Sequence, residues 1–306
     1  MKRIFALFLA ISALGCAIFS AVSCDTPNES ATPSETLKDT AKNATEAPTE
    51  KETKEKYTVN NDTRPELNVL FIGNSYTYYH DMPSTYFFTL AAKAGYRVRA
   101  TAITKGGYTL ERFADPDDEY GKKVAEALDE KNAGKYDYVI LQEQSKRPAL
   151  DDGRPKFFEA VSILCEKIRA IGAEPILYST WGRKVGSDEL DAEGWTNESM
   201  TWRLAAAYSA IGEKLGIKVA HVGLAFFDVN TNSPDVELYE SDKSHSSALG
   251  SYLAAATILA KMLGVDPRAL NYNAGFEGEI QALLNEAAYI AATTTPQIPE
   301  EYAVAD

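Results

Sequence analysis

From Leu67 onward, short apolar runs alternate with amphipathic stretches that stop at glycine. The runs LNVLFIG, YRVRATAI, YDYVILQ, EPILYST and IKVAHVGLAF read as strands. Between and after them lie helical patterns over Met82 to Ala94, Glu119 to Lys131, Pro155 to Ile171, Ser199 to Leu215 and Ser246 to Leu263. Gly95, Gly172, Gly216 and Gly264 supply stops, the position where a left-handed residue closes a helix. Such alternation forces crossover connections and hence a mainly parallel sheet with helices on both faces. VLFI, YVIL and PILY are apolar at consecutive positions, as strands covered on both sides must be. The expected fold is α/β, a three-layer α/β/α sandwich around an about five-stranded sheet, spanning residues 66–295. A further helix is expected from about Gly278 to Ala292, and residues 296–306 form a loosely packed tail.

The N-terminal quarter has a different composition. MKR is followed by IFALFLAISALGCAIFSAV, which carries no charge, and then by Ser23 and Cys24. A basic start, an apolar stretch and small residues before a cysteine make a secretory signal over residues 1–24. The ending AVSC resembles the lipobox of bacterial lipoproteins, which implies lipidation of Cys24 and an extracytoplasmic protein held on a bacterial membrane. Cys16 is the second candidate for lipidation, and an uncleaved anchor is the alternative, since about 19 apolar residues just span a bilayer. Residues 25–65 are rich in Thr, Glu, Lys, Pro and Ser and poor in large apolar side chains, the composition of a disordered tether. The formal charge of −13 argues against a nucleic-acid partner. Cys165 is the only thiol past the signal, sits in a helical pattern and reads as a core residue.

In a parallel sheet the functional groups gather beyond the carboxyl ends of the strands. The first strand ends in Gly73, Asn74 and Ser75, and the second in Lys105, Gly106 and Gly107. The third is followed by Gln142, Glu143, Gln144 and Ser145, the fourth by Ser179, Thr180 and Trp181. After the fifth comes ESDKSHSSALG, with Asp242 three residues before His245. A serine nucleophile needs a base, and the base needs an acid to orient it. Of the three histidines, His221 falls inside a strand and reads as core, and His80 has only Asp81 as a local acid. His245 has Asp242 at a spacing that lets a turn bring the carboxylate to Nδ1 and leaves Nε2 for Ser75.

Together these blocks resemble the SGNH (GDSL-type) hydrolase superfamily: a strand followed by G-[DN]-S at Gly73, Asn74 and Ser75, a backbone-donating glycine at Gly107, and D-x-x-H at Asp242 and His245. The resemblance implies a serine esterase with a Ser75–His245–Asp242 triad, no metal and no cofactor. It also implies an oxyanion site made by the N–H groups of Ser75 and Gly107. The family's G-x-N-D block is here LQEQS, so Gln144 stands where the asparagine donor would be, with Gln142 as the fallback. Glu143 reads as a positioning or solvent-facing residue. Tyr76, Tyr78 and Tyr79 after the nucleophile, Trp181, and Trp195 within the polar segment 184–198 are aromatic candidates for a sugar-binding cleft. The expected substrate is an acyl ester, acetyl above all, on a carbohydrate. A lipase or thioesterase of the same superfamily and a non-catalytic glycan-binding protein are the alternatives, and no phosphate-binding glycine loop supports a nucleotide binder.

Overall fold

The structure, a computed structural model, describes residues 62–304; the expected signal, lipidation cysteine and most of the tether lie outside the described residues. Strands β1 (Glu66–Gly73), β2 (Arg97–Thr104), β3 (Tyr138–Leu141), β4 (Glu174–Tyr178) and β5 (Lys218–Ala220) form one parallel sheet in the order β2-β1-β3-β4-β5. The helices are α1 (Ser75–Tyr78), α2 (Phe88–Lys93), α3 (Leu110–Ala114), α4 (Glu119–Ala127) and α5 (Arg154–Ala170). They continue as α6 (Asp188–Glu193), α7 (Asn197–Leu215), α8 (Val222–Asn232), α9 (Ala248–Leu263) and α10 (Gly278–Thr293).

Successive residues of β1 point to opposite faces, and each face meets its own core. Leu67, Val69 and Phe71 pack with α2, α8, α9 and α10, whereas Leu70 and Ile72 pack with α3, α4, α5 and the second half of α7. This is the three-layer sandwich read from the sequence. Cys165 is buried in the second core, and burial pushes its thiol up to about 12, which leaves it a packing residue.

One strand is shorter than its apolar run suggests. β5 ends at Ala220, and VGLAF, expected to continue it, forms the start of α8. The run satisfies either period, and packing decides: Val222, Ala225, Phe226 and Val229 all turn into the first core, which helical spacing permits and strand alternation does not. His221, between the two elements, is buried as expected, and burial holds its imidazole down at about 3. The tail is partly ordered by packing, with a short 3₁₀ turn at Glu300–Tyr302 that brings the Tyr302 ring to 5.8 Å from the Arg203 guanidinium.

Candidate active site

The turn after β1 is built to close tolerances. Asn74 caps α1, its side-chain oxygen accepting from Tyr76 N at 3.1 Å, so Ser75 becomes the first helical residue. Its N–H therefore has no partner within the helix. The Asn74 amide also donates to the carbonyls of Tyr108 (3.0 Å) and Glu143 (3.3 Å), tying the ends of three strands together. Gly73 cannot be another residue: a Cβ there would lie 2.4 Å from Thr77 Oγ1 and 2.6 Å from Gln142 Oε1. That crowding is the physical content of the glycine in the first block.

The opposite side of the site is a loop closed by a single antiparallel bridge between Tyr239 and Ser246. Within it Asp242 Oδ1 accepts from the backbone N–H groups of Ser244 and His245, both at 2.9 Å. Its Oδ2 lies 2.5 Å from His245 Nδ1, and His245 Nε2 lies 2.8 Å from Ser75 Oγ. Burial works to raise the Asp242 pKa, but the hydrogen bonds from the His245 ring and from the two N–H groups outweigh it and hold it below the ordinary value. The Tyr79 ring lies parallel to the imidazole at 4.0 Å, covering one face of it. His80 Nε2 meets Glu240 Oε1 at 2.7 Å, so the partner absent near His80 in sequence comes from the Asp242 loop. His80, Asp81 and Lys243 all adopt positive φ (50°, 50° and 60°), so backbone strain collects on the two segments that flank His245.

Ser75, Asp242 and His245 border a cavity of about 380 Å³ together with Gly107, Gln144, Ser145 and Ser244. Gly107 has φ of 70° with open space where a Cβ would sit, which leaves its backbone accessible from the cavity. Gln144 lines the cavity, with its Oε1 accepting from Lys146 N and Arg147 N at 3.1 Å and its Nε2 donating to Ser145 Oγ at 3.3 Å.

Two expected binding residues, Gln142 and Trp181, face elsewhere, and the third, Tyr76, borders the cavity with its ring almost fully buried. Gln142 is fully buried, its Oε1 accepting from Asn74 N and Thr77 Oγ1 (both 2.8 Å) and its Nε2 donating to Asn74 Oδ1 (3.0 Å). It holds the nucleophile turn and has no group left for substrate. Trp181 is likewise fully buried, stacked between Tyr76 and Phe226 at 4.3 Å from each, with Nε1 donating to Ser244 O at 2.9 Å. Tyr76 is buried beside it, its hydroxyl 3.0 Å from Ser244 Oγ. Neither ring presents a face to solvent. The column Phe226–Trp181–Tyr76 instead supports the floor of the site, because burying flat rings against one another removes far more apolar area than exposing them to a sugar. Trp195 packs with Leu190, Met200 and Leu204, away from the cavity. Trp181→Ala should accordingly destabilise the fold by about 3–5 kcal/mol in urea titration. A loss below about 1 kcal/mol would mean that the column supports nothing.

Glu143 is buried, not solvent-facing. Its carboxylate accepts from Leu110 N at 3.1 Å and Gln144 N at 2.6 Å, fixing the loops after β2 and β3 relative to each other. Burial pushes this carboxyl up to about 7 from 4.5, against the lowering effect of the Gln144 and Leu110 N–H groups. A carboxyl whose folded pKa is raised contributes stability that is full below its unfolded value and is lost as the pH rises through the folded one. Between pH 4.5 and 8 the wild type should therefore lose up to about 3 kcal/mol relative to Glu143→Gln. Parallel pH dependence in the two proteins, measured by urea unfolding, would exclude this role.

Sequence reasoning missed Arg183 and Glu189, which also border the cavity. Arg183 lies just past the end of β4, the one signal that pointed to it, and Glu189 lies in the polar segment expected to overhang the site.

No family model matches the sequence, and no curated protein does. Among solved structures, a protein from Slackia heliotrinireducens assigned as an SGNH hydrolase shares 31% identity over 64% of this chain and 99% of its own, with a TM-score of 0.55. The chain belongs to the SGNH hydrolase superfamily. With membership comes the expected class of chemistry, hydrolysis of a carboxylic ester. A DUF4886 family protein from Bacteroides uniformis has the same fold as this SGNH hydrolase, at 19% identity over 74% of this chain and 94% of its own (TM-score 0.63). An acetylxylan esterase from Geobacillus stearothermophilus is more distant, at 13% identity over 69% of this chain and 100% of its own (TM-score 0.48).

Proposed function

We propose that this SGNH hydrolase is a serine esterase that removes acyl groups, acetyl above all, from carbohydrate. The observation that carries the reading is the unbroken line of hydrogen-bond distances from Asp242 through His245 to Ser75 Oγ. In the reaction, His245 Nε2 takes the hydroxyl proton of Ser75 as Oγ attacks the acyl carbon. The tetrahedral oxygen receives the N–H groups of Ser75 and Gly107, with Gln144 Nε2 as third donor once it leaves Ser145 Oγ. His245 then gives its proton to the departing sugar oxygen, and water repeats the sequence on the acyl-serine. Asp242 holds the imidazole in the tautomer that keeps Nε2 free for Ser75 and stabilises the charge it acquires.

The cavity favours a small acyl group. Ser145, Ser244, Gln144, Arg183 and Glu189 put polar atoms around Ser75, and a long alkyl chain would strip water from them without replacing its hydrogen bonds. This weighs against a lipase. The sequence of residues 1–24 supports placing the enzyme outside the cytoplasm, anchored by lipid on Cys24. A fluorophosphonate probe should label the wild type and not Ser75→Ala. No labelling of folded wild type would favour a non-catalytic glycan-binding protein.

A further inference from the structure

The rings of Trp181 and Tyr76 are buried, and the cavity beside Ser75 is lined largely by polar groups. Arg183 and Glu189 are among them. The Arg183 side chain is only 9% exposed, yet it borders the cavity. Its Nη2 donates to Ser145 Oγ at 3.0 Å, and its Nε lies against Glu189 Oε2 as an ion pair. Among the described residues, Nη1 of Arg183 and Oε1 of Glu189 take part in no hydrogen bond. The backbone beneath is fixed: Asn197 Nδ2 donates to the carbonyls of Gly182 (3.1 Å) and Arg183 (2.7 Å). The guanidinium is thus held before any substrate arrives, which removes an ordering cost from binding.

Both residues border the cavity, and the pair leaves one donor and one acceptor uncommitted there. An anion is a poor match, because the cavity already carries the carboxylates of Glu189 and Asp242 against one guanidinium, on a chain of net charge −13. A hydroxyl, which donates and accepts at once, fits both free atoms. We propose that Arg183 and Glu189 form a clamp for an unesterified hydroxyl next to the ester being cleaved, so that the preferred substrate is a neutral sugar ester with a free neighbouring hydroxyl. This rests on the reading of Ser75 as an esterase nucleophile. Hydrogen bonds to charged groups make such a site reject an analogue lacking the hydroxyl.

The test compares two acetylated pyranosides, one with a free hydroxyl beside the acetyl group and one with that hydroxyl replaced by hydrogen. In the wild type kcat/KM should favour the hydroxy substrate by about tenfold or more. Glu189→Gln and Arg183→Lys should bring the ratio close to one. The ratio is internal to each protein, so a partial loss of fold cancels, and Glu189, half exposed, is the safer site to change. A wild-type ratio near one, or a ratio that survives both substitutions, overturns the clamp while the esterase reading stands. Absence of both hydrolysis and fluorophosphonate labelling in the wild type overturns the esterase reading itself.

Discussion

Ser75→Ala should lower turnover of an acetyl ester by about a million-fold, the scale seen when the nucleophile of a serine hydrolase is removed. The loss is that large because the other parts have nothing to act on. His245 keeps its place beside Asp242, and the N–H groups keep theirs, but no covalent intermediate can form. Stability should stay within about 0.5 kcal/mol of wild type, since Ser75 Oγ has His245 as its hydrogen-bond partner and the turn is held by Asn74 and Gln142. Residual turnover above about one per cent in a protein free of wild-type contamination would show that another group attacks the ester.

Asp242→Asn should cost about ten-thousand-fold at neutral pH, for a different reason. An asparagine can still accept the N–H groups of Ser244 and His245 through Oδ1, so the loop keeps its shape. What changes is the atom facing Nδ1. An amide nitrogen there donates, the imidazole must present a lone pair to it, and its proton moves to Nε2, where it blocks acceptance from Ser75. The Asp242 pKa is depressed, so the stability its carboxylate contributes is present above the ordinary aspartate value and is lost as the pH falls through the lowered one. Wild type and variant should then converge in stability in strong acid. A variant with near-normal activity would place the orienting acid elsewhere, Glu240 being the nearest other carboxylate in that loop.

The sheet and the positions of Ser75, Gly107, Asp242 and His245 were legible because each depends on local chemistry. A double-faced strand needs a continuous apolar run, the crowded turn needs Gly73, and a three-residue spacing suffices to join acid and base. Aromatic roles were not legible. Trp181 reads the same in sequence whether it faces solvent or stacks between Tyr76 and Phe226, because Phe226 arrives from α8, forty-odd residues on. Gln142 and Glu143 misled for a similar reason: an amide or carboxyl at a strand end serves a turn as readily as a ligand, and partners such as Asn74 and Leu110 are distant in sequence. Arg183 and Glu189 had no motif at all, since their pairing exists only once α6 folds back over the cavity.

The bridge between Tyr239 and Ser246 encloses both members of the acid–base pair in one short loop. Bringing Asp242 to His245 therefore spans three residues of chain, while bringing His245 to Ser75 spans 170. The entropy of closing the first gap is small, and that of the second is met by the whole packed sheet. Half of the relay is thus a local property of the chain and the other half a property of the global fold. Serine reactivity consequently reports docking of the turn after β1 against the Asp242–His245 loop, and loosening that parts the two would silence the enzyme while leaving its histidine–aspartate pair intact.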